Sequence, residues 1–240
     1  MTGTEVVQTI WLGRMAYAGA MDLQRELYAR RVNDEIGDVV LFLEHEPVIT
    51  LGRRADETHV LLDADQLSDV GVEVSETDRG GEATYHGPGQ LVGYPILGMR
   101  ERGLGPVKYV RLLERVIIET LSEFGIAAHL VDGETGVWVE GIPGEKRVEG
   151  INPKGKKIAA LGVRISSGVS MHGFALNVAT DLSMFQNIIP CGMPELPASS
   201  IEDQIGNVIG LPQVAKVTAE ILGVALGSRI EWTNSIELIN

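Results

Sequence analysis

Residues 106–124 read as one amphipathic helix. Pro106 suits a first helical position, and Val107, Val110, Leu113, Ile117, Leu121 and Phe124 recur every three or four residues. Gly125 follows, where a left-handed residue ends many helices. Further helices are expected at 17–32 and 212–226. Between them lie strand-like segments at 6–12, 39–43, 48–51, 91–97, 126–131, 136–139, 158–165 and 173–178. Strands in pairs with short turns, interspersed with helices, predict an α/β (α+β) chain with a mixed β-sheet flanked by helices. The 240 residues fit a single domain, 1–240.

Charge and cysteine usage narrow the function. A formal net charge of −13 speaks against nucleic acid, because phosphate binding needs a basic footprint. The single Arg79-Gly80-Gly81 tripeptide is therefore no RNA-binding repeat. Cys191 is the only cysteine, which rules out an internal disulfide and points to a reducing compartment. The N-terminus lacks a basic stretch followed by an apolar core, and no apolar run is long enough to cross a bilayer. A cytoplasmic protein with no membrane partner is expected.

Two apparent motifs fail on inspection. Gly150-Ile-Asn-Pro-Lys-Gly-Lys-Lys157 nearly spells a phosphate-binding loop, but its last position should be Ser or Thr and no apolar strand leads into it. His45, His59, His86, His129 and His172 are scattered without metal-ligand spacing, so no metal is expected.

Cys191 is the stronger candidate. A lone cysteine is ordinarily a small buried hydrophobe. Here it stands in Ile-Ile-Pro-Cys191-Gly192, where proline stiffens the chain and glycine leaves space beside the sulfur. A thiol with a pKa of about 8.5 is only a few per cent thiolate at neutral pH, so a nucleophilic cysteine needs a nearby cation. Lys157 and Arg164 begin and end one strand, and alternation puts them on opposite faces. The spacing leaves open which one meets the thiol. The glycine-rich run from Arg79 to Gln90 is either a hairpin or a place where backbone lies close to a flat or linear ligand.

At these segments the chain resembles the lipoyl(octanoyl) transferases of the biotin/lipoate protein ligase superfamily. RGGEATYHGPGQLVGYPI, KIAALGVRIS, MHGFALNV and IIPCG occur in that family's order and spacing, over most of the chain. The resemblance implies a ligase-like catalytic fold with a smaller C-terminal part, Cys191 as nucleophile and Lys157 as its activating lysine. It places the acyl pocket at Arg79, Gly80, Gly81, Glu82, Ala83, Thr84, Tyr85 and His86, at Ala160, Leu161 and Gly162, and at Gly173, Phe174 and Ala175. The implied reaction moves an octanoyl group from octanoyl-acyl carrier protein to a lysine of apo lipoyl domains, those of 2-oxoacid dehydrogenase complexes and the glycine cleavage H protein. It would pass through a cysteine thioester and need no cofactor. Alternatives are an ATP-dependent ligase of the same superfamily or a non-catalytic acyl-binding protein. Glu82 departs from the family's usual neutral or basic residue, and the loop before Lys157 is long. A collar of basic residues is expected around the pocket to meet acidic partners: Arg53, Arg54, Arg79, Lys146, Arg147, Lys154, Lys156 and Lys157, with Lys108, Arg111 and Arg115 on the helix.

Overall fold

The computed structural model describes residues 5–140, 155–189 and 197–238. The chain runs β1 (Val6–Met15), α1 (Tyr17–Val32), β2 (Asp38–His45), β3 (Val48–Leu51), α2 (Ala64–Asp69), β4 (Glu73–Glu76), β5 (Ala83–His86) and β6 (Gln90–Ile96). It continues with α3 (Pro106–Glu123), β7 (Ala128–His129), β8 (Val137–Val139), β9 (Lys156–Ser166), β10 (Val169–Asn177), α4 (Ile201–Ile205), α5 (Leu211–Leu226) and β11 (Arg229–Trp232).

Eight strands form one sheet in the order β11-β1-β2-β6-β10-β9-β8-β7, and β4-β3-β5 form a second. The large sheet is mixed: β1 pairs in parallel with β2 and β11, and the ladders from β2 through to β7 are antiparallel. The mixed sheet flanked by helices agrees with the expected class.

Two helix layers cover the large sheet. On one face Leu113, Ile117 and Leu121 of α3 meet Val214, Ala219 and Leu222 of α5 over Phe42, Val137, Val139 and Leu176. On the other, Ala20 and Leu27 of α1 pack on Leu41, Leu43, Val92 and Ile96. Each buried leucine-sized side chain contributes about 1.5–3 kcal/mol, so both layers are held chiefly by apolar burial. The predicted α1 span is the observed one, and Pro sits in the first turn of both α3 and α5.

Several elements go beyond the sequence expectation. The strand expected at 126–131 pairs only over Ala128–His129. The short elements α2, β4, α4 and β11 carry too few apolar residues to announce themselves; β4 reads Glu-Val-Ser-Glu and β11 Arg-Ile-Glu-Trp. Such strands depend on the neighbour that pairs with them. For β11 that neighbour is β1, at the far end of the chain.

Candidate active site

A cavity of about 350 Å³ opens between the glycine-rich segment and strands β6, β9 and β10. Of the predicted pocket, Arg79, Gly81, Glu82, Ala83, Thr84, His86, Ala160, Leu161, Gly162, Gly173, Phe174 and Ala175 line it, and so does Lys157. Gly80 and Tyr85 do not. The Gly80 N–H donates to the Val163 carbonyl at 3.1 Å, and Tyr85 packs edge-on against Phe185 in the small apolar cluster with Ile49 and Leu51. Cys191 lies outside the described residues, as do Lys146, Arg147 and Lys154 of the expected collar.

The sheet floor is poor in side chains. Ala160 faces Ala175 across the ladder, and Gly162 faces Gly173. A Cβ at Gly162 would lie 2.7 Å from the Gly80 carbonyl oxygen, so glycine is needed for the Arg79–Gly81 turn to close over β9. Arg79 fixes that turn from inside. It is buried, and its guanidinium donates to the Thr50 hydroxyl, the Thr50 carbonyl at 2.7 Å and the Glu82 carbonyl at 2.7 Å. Its charge is therefore used within the fold and does not belong to a surface collar. Glu82 lies at the cavity 4.0 Å from Arg54, which also lines it with its side chain largely exposed.

Lys157 reaches this cavity because β9 contains a bulge. Val137 pairs with Ala159 but Trp138 pairs with Lys157, so Ile158 is the extra residue. Ile158 and Ala159 both enter the core under α3, and Lys157 returns to the face of Ala160 and Gly162. Arg164 is on that same face, paired with Met171 under α1. Uninterrupted alternation put these two cations on opposite faces, and the bulge overturns that expectation. Arg164 forms an ion pair with Asp78 at 2.6 Å and does not line the cavity, whereas Lys157 does.

Around the predicted His86 the cavity holds polar residues that the sequence did not single out as a site. His86 Nδ1 lies 2.7 Å from Gln90 Oε1, an acceptor, so that nitrogen carries the proton. Gln90 donates to Asn177 at 2.9 Å, and Asn177 to the Ser199 carbonyl at 3.0 Å. Behind them His45 Nε2 meets the Tyr94 hydroxyl at 2.7 Å. Burial pushes His45 down to about 4, and burial, reinforced by the nearby His45 and Arg79, holds His86 well below its ordinary value. Both rings are neutral at pH 7. Tyr17, at the start of α1, stacks on His86 and lines the cavity.

His172 stands at the end of the cavity away from Lys157. Its backbone is left-handed, φ 57°, which is uncommon outside glycine and is held by a hydrogen bond from its N–H to Gln24 Oε1 at 3.0 Å. Its ring meets Asp78 at 2.7 Å. Burial lowers His172 despite that carboxylate, while Asp78 is raised by burial but held below its usual range by His172 and Arg164. The motif MHGFALNV contained this residue, but nothing in its spacing marked it as cavity-lining.

The model of the lipoyl protein ligase A/B catalytic domain matches residues 16–223. The chain belongs to that family. It is 44% identical over 239 residues to an octanoyltransferase of Acidobacterium capsulatum, covering 96% of this chain and 94% of the relative. Over 224 residues it is 44% identical to an octanoyltransferase of Chloroflexus aurantiacus, covering 92% and 95%. A putative lipoate protein ligase from T. acidophilum shares the fold, with a TM-score of 0.69 at 17% identity, covering 96% of this chain and 89% of that one. This family likeness agrees with the resemblance read from the four motifs. Among the described residues no three His, Cys, Asp or Glu side chains cluster as a metal site requires, and no helix is long and apolar enough to cross a membrane.

Proposed function

We propose that this protein transfers an octanoyl group from octanoyl-acyl carrier protein to a specific lysine of apo lipoyl domains, through a thioester on Cys191. The lipoyl domains are those of 2-oxoacid dehydrogenase complexes and the glycine cleavage H protein, and the setting is the cytoplasm. Relatives at 44% identity that carry the name octanoyltransferase support the reaction class. The observation that carries the reading is the position of Lys157. It stands on the cavity wall at one end of the strip formed by Ala160, Gly162, Gly173 and Ala175, where an extended alkyl chain would find few side chains in its way.

The chemistry then follows from charge. The Lys157 ammonium stabilises the Cys191 thiolate, which attacks the thioester carbonyl of the donor. The carrier thiolate leaves and takes a proton from Lys157, so the products are an acyl-enzyme, a free carrier thiol and a neutral lysine. The acceptor lysine attacks as a free amine, Lys157 removes its proton, and the Cys191 thiolate departs. The ion pair is restored and the energy comes from the thioester. Holding the thiol about two pH units below its ordinary value requires roughly 2.7 kcal/mol, within reach of one close cation.

Intact-mass analysis after mixing with octanoyl-acyl carrier protein, without nucleotide, tests the reading. The wild-type mass should rise by one octanoyl group, and Cys191→Ala should show no rise. Full transfer by Cys191→Ala would sink the cysteine mechanism, and a strict need for ATP would move the protein to ligase chemistry.

A further inference from the structure

We infer that Trp138 is a positioning residue, whose indole face holds the Lys157 ammonium at the cavity wall. The proposal rests on Lys157 being the cation that serves the reaction.

The geometry is direct. Lys157 Nζ lies 4.7 Å from the centroid of the Trp138 ring, within the range where the ring face attracts a cation. Trp138 is fully buried, and its indole N–H finds no acceptor among the described residues. Leaving a buried donor unpaired is unfavourable, and a phenyl or leucyl side chain would fill core without that penalty. What tryptophan offers here is its face, the most attractive of the aromatic rings for a cation.

The surroundings are built to keep the lysine on that face. Gly136, at φ 131°, leaves room for the lysine stem; a Cβ there would stand 2.8 Å from the Ala159 carbonyl oxygen, 2.8 Å from Lys157 Cε and 3.2 Å from Trp138 Cη2. Gly136 is itself fixed by Glu114, fully buried on α3, whose Oε1 accepts the Gly136 N–H at 3.0 Å. The other Glu114 oxygen takes Arg111 at 2.7 Å. From below, the bulge at Ile158 turns the Lys157 side chain toward Trp138. A helix carboxylate, a glycine slot and a strand bulge thus converge on one lysine rotamer.

Two readouts test this. In selectively labelled protein, the Lys157 ε-methylene signal should lie upfield by the indole ring current, identified by its loss in Lys157→Met. Trp138→Leu should return that signal to the ordinary lysine position. Because Cys191 is the only thiol, iodoacetamide alkylation against pH reads its titration without ambiguity. Trp138→Leu should raise the alkylation midpoint, by less than the roughly two pH units expected on removing the Lys157 charge, because the ammonium remains but is no longer held in place. Trp138→Phe, which keeps a ring face, should recover more than half of that shift. Thermal unfolding confirms that each variant is folded. A wild-type spectrum with no upfield lysine signal overturns the proposal, and so does an unchanged or lower midpoint in folded Trp138→Leu. Failure of the acyl-enzyme test would remove the role of the thiol but leave the spectroscopic result standing, so the two failures are separable.

Discussion

The Lys157 backbone N–H donates to the Pro197 carbonyl at 2.8 Å, and the Lys157 carbonyl accepts from the Ser199 N–H at 3.0 Å. The lysine is therefore stitched on both sides to the chain that follows Cys191. On the other side of the cysteine, the Ile189 N–H donates to the His59 carbonyl at 2.9 Å. Both described flanks of the cysteine segment are tied down, one of them directly to the lysine proposed to serve it.

Lys157 and its neighbour Lys156 should therefore behave differently. Alternation separates their side chains to opposite faces of β9, and Lys157 alone of the two lines the cavity. Lys157→Met should raise the pH midpoint of Cys191 alkylation by roughly two units and slow both half-reactions. Lys156→Met should leave the midpoint where it is. If the two variants alkylate alike, the assignment of Lys157 is wrong.

The buried histidines make stability depend on pH. Burial lowers His45 from 6.5 to about 4, so the unfolded chain binds its proton more readily than the folded one. The sign follows: this contribution is present above pH 6.5, fades as pH falls, and is gone below 4. It amounts to on the order of 3 kcal/mol, and His86 and His172 shift in the same direction. Thermal unfolding should show a Tm that holds down to about pH 6.5 and falls below it toward pH 4.5, with a shallower fall in His45→Gln. A flat wild-type profile across that range would count against neutral buried rings.

Partner docking can be separated from chemistry at the cavity rim. Arg53 and Arg54 are exposed, and their backbone N–H groups donate to the Arg79 and Gly81 carbonyls, both at 3.1 Å. Their loop is thus anchored to the glycine-rich turn, and the Arg54 side chain, 4.0 Å from Glu82, remains largely exposed at the rim where an acidic surface would approach. Replacing both with Gln should lower the association rate of acyl carrier protein and flatten its salt dependence. Acyl transfer within the bound complex should change little. Stopped-flow binding across a salt series decides it, and a wild-type on-rate at every salt removes this pair from the docking surface.

Much of the architecture was written locally in the chain. The α3 stripe, bounded by Pro106 and Gly125, depends on a 3.6-residue period and on two residues with restricted or permissive backbones, so neighbouring residues suffice to specify it. The period of Ala20, Leu23 and Leu27 in α1 is likewise local. The closure of Arg79–Gly81 over Gly162 is not, because it joins two segments far apart in the chain. The pocket segments could be named because their motifs are contiguous. What the sequence left undecided was which way side chains face once a strand meets its partner. The bulge at Ile158 exists only in the pairing of β9 with β8, and it alone moves Lys157 to the cavity face. Tyr17 comes from α1, Gln90 from β6, and His172 and Asn177 from β10, and they share the cavity only when α1 and the sheet pack together. Local period and composition determined the elements; strand register and packing decided which residues share the cavity, because those relations join parts of the chain that no window of sequence contains.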